Sequence, residues 1–235
     1  FDSELQTYTY ALTLAGGECA EALTGTYKMG DTVTFPEPSR VGYTFSGWKP
    51  EAASGTWTVE TVVSAGSFVT TGLWGNVSLT AQWTPIEYTV SFAAASEDDT
   101  VPAAQKYTIE STDSFGEAVR EGYSLVGWIV VSASGNWETG TNLSADYTLL
   151  QNYGDVTVSP LWQVNTYRIF WKTGDSVLEN EVEYGGAILS QTPAAKAGYT
   201  ADWDSEIPAT MPADNLTITA LWQISSYTVT FENNT

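Results

Sequence analysis

Apolar and polar positions alternate in short runs along this chain, and the runs return in a fixed order. Tyr8-Thr9-Tyr10-Ala11-Leu12, Tyr88-Thr89-Val90-Ser91-Phe92, Tyr167-Arg168-Ile169-Phe170-Trp171 and Tyr227-Thr228-Val229-Thr230-Phe231 each predict a strand. Residues of the Val90 and Phe92 kind face a core, and the Thr face is wet. A second strand follows, such as Lys106-Tyr107-Thr108-Ile109 or Glu181-Val182-Glu183-Tyr184. A Gly-containing turn and a stretch with Pro or small residues come next, as in Phe35-Pro36-Glu37-Pro38. Then comes Gly42-Tyr43-Thr44-Phe45-Ser46-Gly47-Trp48, repeated as Gly122-Tyr123-Ser124-Leu125-Val126-Gly127-Trp128 and, more loosely, as Gly198-Tyr199-Thr200-Ala201-Asp202-Trp203. Each unit closes on a strand ending in Trp83, Trp162 or Trp222. Long runs at helical spacing are missing, so the pattern predicts a mainly β protein with little helix.

The opening tyrosines stand 80, 79 and 60 residues apart. This divides the chain into module one (1–87), module two (88–166) and a minimal module three (167–226). Residues 227–235 start a further repeat or a linker, and the chain reads as a mature or excised fragment. Connectors such as Thr84-Pro85-Ile86-Glu87 and Gln223-Ile224-Ser225-Ser226 are too short to act as free hinges, so neighbouring modules are expected to be strung closely. The stretch from Gly42 to Trp83 is 42 residues, that from Gly122 to Trp162 is 41, and that from Gly198 to Trp222 is 25. Modules one and two therefore carry an insertion, at about 50–74 and 130–153, with matching Ser54-Gly55-Thr56-Trp57 and Ser134-Gly135-Asn136-Trp137. Leu73-Trp74-Gly75-Asn76 and Asn152-Tyr153-Gly154-Asp155 read as turns. The insertion is expected to form an extra β excursion on the surface or edge of its module. Tyr43, Trp48, Trp83, Tyr123, Trp128, Trp162, Tyr199, Trp203 and Trp222 form the repeated core motif, with Trp48 and Trp83 expected to stack.

Composition sharpens this picture mainly by exclusion. Ten Trp, thirteen Tyr and eight Phe favour strands and let a small module bury enough surface without disulfides. With no His and only Cys19, neither a Ser-His-Asp nor a Cys-His nucleophile exists, and zinc sites built from His and Cys are out. Twenty-eight acids against eight basic residues give a net charge of −20, which repels nucleic acid and anionic lipid. No run of about 18 apolar residues predicts a membrane span.

The pattern Tyr-x-Val-x-Phe, Tyr-x-x-Gly, Gly-Tyr-x-Phe-x-Gly-Trp and Val-x-Leu-x-Ala-x-Trp resembles the Listeria–Bacteroides repeat, also called the internalin-type B repeat. Tyr27-Lys28-Met29-Gly30-Asp31-Thr32-Val33 followed by Gly42 to Trp48 carries the nearest match. Tyr184-Gly185-Gly186 is read as the same element in module three, where Met211-Pro212-Ala213-Asp214-Asn215 also fits. Module two lacks a clean Tyr-x-x-Gly, having Ser111 to Gly116 instead. The resemblance implies three tandem β-grasp-like modules in a bacterial cell-surface or secreted protein, acting as a spacer or stalk and as an adhesion or protein-interaction element. No enzyme activity and no cofactor are expected, and the chain is expected to be a monomer whose partners are host or matrix proteins or a glycan.

Four insertion aromatics, Trp57, Trp74, Trp137 and Tyr153, are the candidate ligand-binding residues. Exposed aromatic faces stack on sugar rings, so they define an alternative carbohydrate-binding reading; the competing reading makes them the anchor of the insertion itself. The acidic run Glu97-Asp98-Asp99 lacks the spacing of a calcium loop and reads as a solvated turn, whereas Asp202-Trp203-Asp204-Ser205-Glu206 offers several oxygens and leaves calcium binding there as an alternative. No catalytic or metal residue is assigned.

Overall fold

A computed structural model describes residues 5–58, 60 and 62–231. Strands and connecting turns make up the architecture, and no helix occurs among the described residues. Module one contains β1 (Thr7–Thr13), β2 (Thr24–Lys28), β3 (Thr32–Phe35), β4 (Tyr43–Ala53), β5 (Gly66–Val69) and β6 (Val77–Pro85). Its main sheet has the order β2-β1-β6-β4. β1 and β2 form a hairpin, β1 and β6 run parallel at the centre, and β4 lies antiparallel to β6. β3 and β5 form a separate two-stranded ribbon.

Module two contains β7 (Tyr88–Phe92), β8 (Gln105–Tyr107), β9 (Tyr123–Ala133), β10 (Asn142–Ser144) and β11 (Val156–Val164), in the order β10-β9-β11-β7-β8. Module three contains β12 (Thr166–Thr173), β13 (Ser176–Glu183), β14 (Tyr199–Trp203) and β15 (Leu216–Ile224), in the order β13-β12-β15-β14. One parallel central pair therefore recurs three times, as β1–β6, β7–β11 and β12–β15. The predicted strand at 227–231 is not paired over its described residues.

The alternation read from the sequence places the cores. Val90 and Ile169 are buried on the opening strands, and Leu79, Val158 and Ile218 on the closing ones. Trp48 and Trp128 are fully buried, whereas Trp83, Trp162 and Trp222 are half-buried near strand ends. Trp48 and Trp83 are not stacked as expected: Phe45 stands between them, with centroids 5.4 Å from the first and 5.6 Å from the second. The bulge in the β4–β6 register between Phe45 and Gly47 shifts the alternation there, so the two indoles do not lie directly opposite.

Pairing also corrects the alignment of the second strands. Tyr8 faces Tyr27, Tyr88 faces Tyr107, and Tyr167 faces Val182. Tyr184 therefore does not take the place of Tyr27. Val182 does, and Tyr184 is equivalent to Met29 and Ile109. Module two keeps the tyrosine of the Tyr-x-x-Gly element as Tyr107.

Candidate functional site

Each insertion is fastened to its module at three levels. The first is a glycine on the Trp strand. Gly47 lets the insertion cross close enough for Trp48 and Val63 to exchange backbone hydrogen bonds, at 2.7 and 2.8 Å. Gly127 does the same for β10, since a β-carbon there would lie 2.3 Å from the Leu143 carbonyl oxygen. Module three has Asp202 before its Trp, and it has no insertion to admit.

The second is a buried tyrosine. The Trp57 indole N–H donates to the Tyr27 hydroxyl at 2.6 Å, and that hydroxyl donates to the Gly75 carbonyl at 2.5 Å. Trp137, Tyr107 and Gly154 repeat the relay at 2.8 and 2.5 Å. Burial pushes the Tyr27 hydroxyl pKa up and drives that of Tyr107 to about 12. The third is the turn at the far end. The Trp74 carbonyl accepts from Thr56 N–H, and the Tyr153 carbonyl accepts from Asn136 N–H. Gly75 and Gly154, at φ of +107° and +99°, press against Ser54 and Ser134 too closely for any side chain.

These facts place the four candidate aromatics. Trp57 and Trp137 are buried at 6 % and 8 % exposure, inside the module cores. A sugar ring cannot stack on either, and the insertion is not a surface excursion there, because its indoles complete the core over Tyr27 and Tyr107. Trp74 is 46 % exposed and lies beside Leu5, Gln6, Tyr8 and Met29 at a shallow depression. Tyr153 is half-buried. The structure does not bring the four together as one platform.

A second arrangement lies between modules. The Gly42 carbonyl accepts from Ile86 N–H in the connector, and a β-carbon on Gly42 would stand 2.7 Å from Ile109 of module two. The Gly122 carbonyl accepts from Asn165 N–H, and a β-carbon there would stand 2.1 Å from the Tyr184 ring of module three. Tyr43 donates to Glu110 at 2.5 Å, a bond that raises the Tyr43 pKa, and Tyr123 packs edge-on against Tyr184 at 5.9 Å. Both glycines have φ near +80°, so they supply a turn as well as room. Gly198 has the same φ and accepts from Ser225 N–H, but among the described residues nothing approaches it from the far side.

Two recurring devices are absent from the motif reading. Arg40, Arg120 and Lys196, each three residues before the tyrosine, stand 3.8, 4.1 and 4.2 Å over the rings of Tyr43, Tyr123 and Tyr199. Asn76, Asp155 and Asn215, each just before the closing strand, accept from the N–H groups of Thr9, Thr89 and Arg168. A basic residue three positions before each Gly-Tyr tyrosine, and an Asn or Asp one position before each closing strand, are the signals that find them.

The acidic runs behave as turns. Asp99 accepts from Ala95 and Ser96 N–H, and Asp204 accepts from Thr219 N–H, which lowers its pKa. Among the described residues no three His, Cys, Asp or Glu side chains converge as a metal site. Cys19 is half-buried and donates to Glu21, the contact that chiefly raises its pKa.

Comparison with known proteins adds a family. The sequence profile of the Listeria-Bacteroides repeat domain matches residues 8–70 and 88–150. A protein of Evansella cellulosilytica named "Putative Gly-rich membrane protein" is 29 % identical over 83 % of this chain and 24 % of its own length. Another from the same organism, named "Putative membrane protein", is 25 % identical over 98 % of this chain and 34 % of its own length. The chain thus spans about a quarter to a third of the curated relatives it matches. Among the described residues no helix is long and apolar enough to cross a membrane.

Proposed function

Because the chain belongs to the Listeria-Bacteroides repeat family, we propose that it is a non-enzymatic spacer within a bacterial surface or secreted protein, setting the distance between an anchored end and an outward end. The observation that carries this reading is the pair of matching junctions. Modules two and three each plant one residue, Ile109 and Tyr184, on the positive-φ glycine of the module before, Gly42 and Gly122. A connector of a few residues with side-chain contact on both sides leaves little freedom between modules. A spacer needs that stiffness. The surface location is supported by relatives named as membrane proteins. We read each module as β-grasp-like, on the strength of its parallel central pair flanked by a hairpin and an antiparallel strand.

Weak binding of host or matrix protein belongs to the same proposal, with the chain a monomer. Sugar binding through paired insertion indoles lacks support, since Trp57 and Trp137 are buried. The test is a surface display in which the chain separates a small reporter domain from a cell-wall anchor. The reporter should be labelled by a bulky antibody when the chain is present, and much less when it is replaced by a short Gly-Ser linker. Equal labelling in both cases would refute the spacer role.

A further inference from the structure

Module three leaves open a part of its core that the other two modules close. In module one Tyr10, Phe35, Tyr27, Trp57 and Phe68 form a chain of rings, with centroids 5.3 Å (Tyr10–Phe35), 6.0 Å (Phe35–Phe68), 5.9 Å (Phe68–Trp57) and 6.2 Å (Trp57–Tyr27) apart. In module two Phe115, Trp137 and Tyr147 pack the same way over Tyr107, with Phe115 6.4 Å from Trp137 and 5.8 Å from Tyr147. The strand registers put Ile169 and Val182 where Tyr10 and Tyr27 stand. The Trp48 and Trp203 indoles donate to the carbonyls of Pro36 and Gln191, which places Ser190 at the position of Phe35. Three aromatics of module one are thus replaced by smaller side chains, the first of them, Tyr10, also by Val90 in module two, and the insertion that would supply the covering Trp is absent.

What remains is a groove of about 430 Å³. Ile169 and Trp171 form its floor, Val182 one wall, and Ile188 and Leu189 the other. Leu189 is 80 % exposed. The indole donor at the floor, that of Trp171, is already paired with Asn180 at 3.1 Å, and that of the neighbouring Trp203 with the Gln191 carbonyl, so the floor offers apolar surface rather than open hydrogen bonds. Glu181 and Glu183 stand beside it on β13 with their side chains on the face opposite Val182, and no basic residue lines the groove. Arg168 pairs with Glu181 and Glu179 at 3.3 and 3.2 Å, and Glu183 forms no ion pair among the described residues.

We propose that this groove binds an extended segment of a partner protein that inserts one aromatic side chain between Val182 and Leu189 and carries basic residues beside it. The aromatic takes the place that Trp57 and Trp137 fill in their own modules, and the basic residues, on the other face of the added segment, answer the carboxylate of Glu183, since Arg168 holds Glu181. β13 is the outer strand of its sheet, so its edge is free to meet an extended backbone. Glu183 and Gly186 of the groove flank Tyr184 of the junction with Gly122, so the test below separates binding from the spacer role.

The probe is a synthetic peptide, Lys-Thr-Val-Trp-Val-Lys, titrated into the intact isotope-labelled chain and followed by amide and methyl NMR. Saturable shifts are expected at residues 180–191, with those of modules one and two unmoved. Replacing the peptide Trp by Ala should weaken binding at least tenfold, and replacing both Lys by Glu at least threefold. Leu189→Asp, a change at an exposed position, should weaken binding tenfold, and Val182→Trp should fill the groove and abolish it. Equal shifts with the Ala peptide, shifts spread over all three modules, or none up to about 1 mM with an intact spectrum would each overturn the proposal. So would cellohexaose moving the same residues while the peptide does not. Solution scattering unchanged by Leu189→Asp keeps this outcome separate from the stacking of the modules.

Discussion

Tyr107 shows how one hydroxyl ties an insertion to a core. It accepts from Trp137 and donates to the Gly154 carbonyl while almost wholly buried. Tyr107→Phe leaves the Trp137 N–H without a partner, and a buried unpaired donor costs about 1–3 kcal/mol. Denaturant unfolding of the variant should show module two weakened by that amount, with modules one and three unchanged. The raised pKa has its own consequence. A tyrosine near 10 when unfolded and about 12 when folded favours the fold in its neutral form. Its contribution of roughly 2–3 kcal/mol is complete below pH 10 and is lost as the pH rises toward 12. Alkaline pH should therefore weaken module two across that window, and Tyr107→Phe should flatten that loss. Trp48 and Trp128 give a second comparison. Both are fully buried, but only Trp48 has a partner for its indole N–H, the Pro36 carbonyl at 2.9 Å; the Trp128 nitrogen has none. Trp48→Phe should cost at least about 1 kcal/mol more than Trp128→Phe in matched melts. The burial of these two was legible in their spacing. That of Trp57 and Trp137 was not, because an aromatic in an insertion has the same local pattern whether it faces water or a core. Its acceptor, Tyr27 or Tyr107, lies 30 residues earlier.

Among the elements, opening, Gly-Tyr and closing strands were legible, because each alternates over five or more residues and returns in every module. The β3–β5 ribbon and β10 were not. They are three or four residues long, and their partners are distant in sequence. The second strand of module three was misaligned by two residues because Tyr184-Gly185 mimics Tyr-x-x-Gly, whereas pairing with β12 fixes Val182 opposite Tyr167. The far turn of each insertion is constrained more tightly than its flanks. Gly154→Ala would place a methyl 2.4 Å from the Ser134 carbonyl oxygen at a φ of +99°. Gly140, at φ +87°, has open space around it. Gly140→Ala should cost only the backbone term of about 1 kcal/mol, and Gly154→Ala clearly more. Hydrogen exchange at Ser134 and Asn136 should rise in the second variant alone.

For the whole molecule, the repeated blocks, the short connectors and the lack of any His-based nucleophile were legible in the sequence. It did not reveal that the Gly-Tyr pair, read as a core motif, also forms the joint between modules. That role depends on Ile109 and Tyr184, which look unremarkable in their own strands. The central claim is that these joints hold the modules as one body. The direct measurement is small-angle X-ray scattering of the intact chain beside Gly122→Val and Gly198→Val. The parent curve should fit a single rigid arrangement, and Gly198→Val should match it, since none of the described residues faces Gly198. Gly122→Val, driven into the Tyr184 ring, should require an ensemble with modules two and three moving freely while each melts near its parent temperature. A parent chain already scattering as freely jointed modules, or a Gly122→Val curve identical to it, would contradict the account.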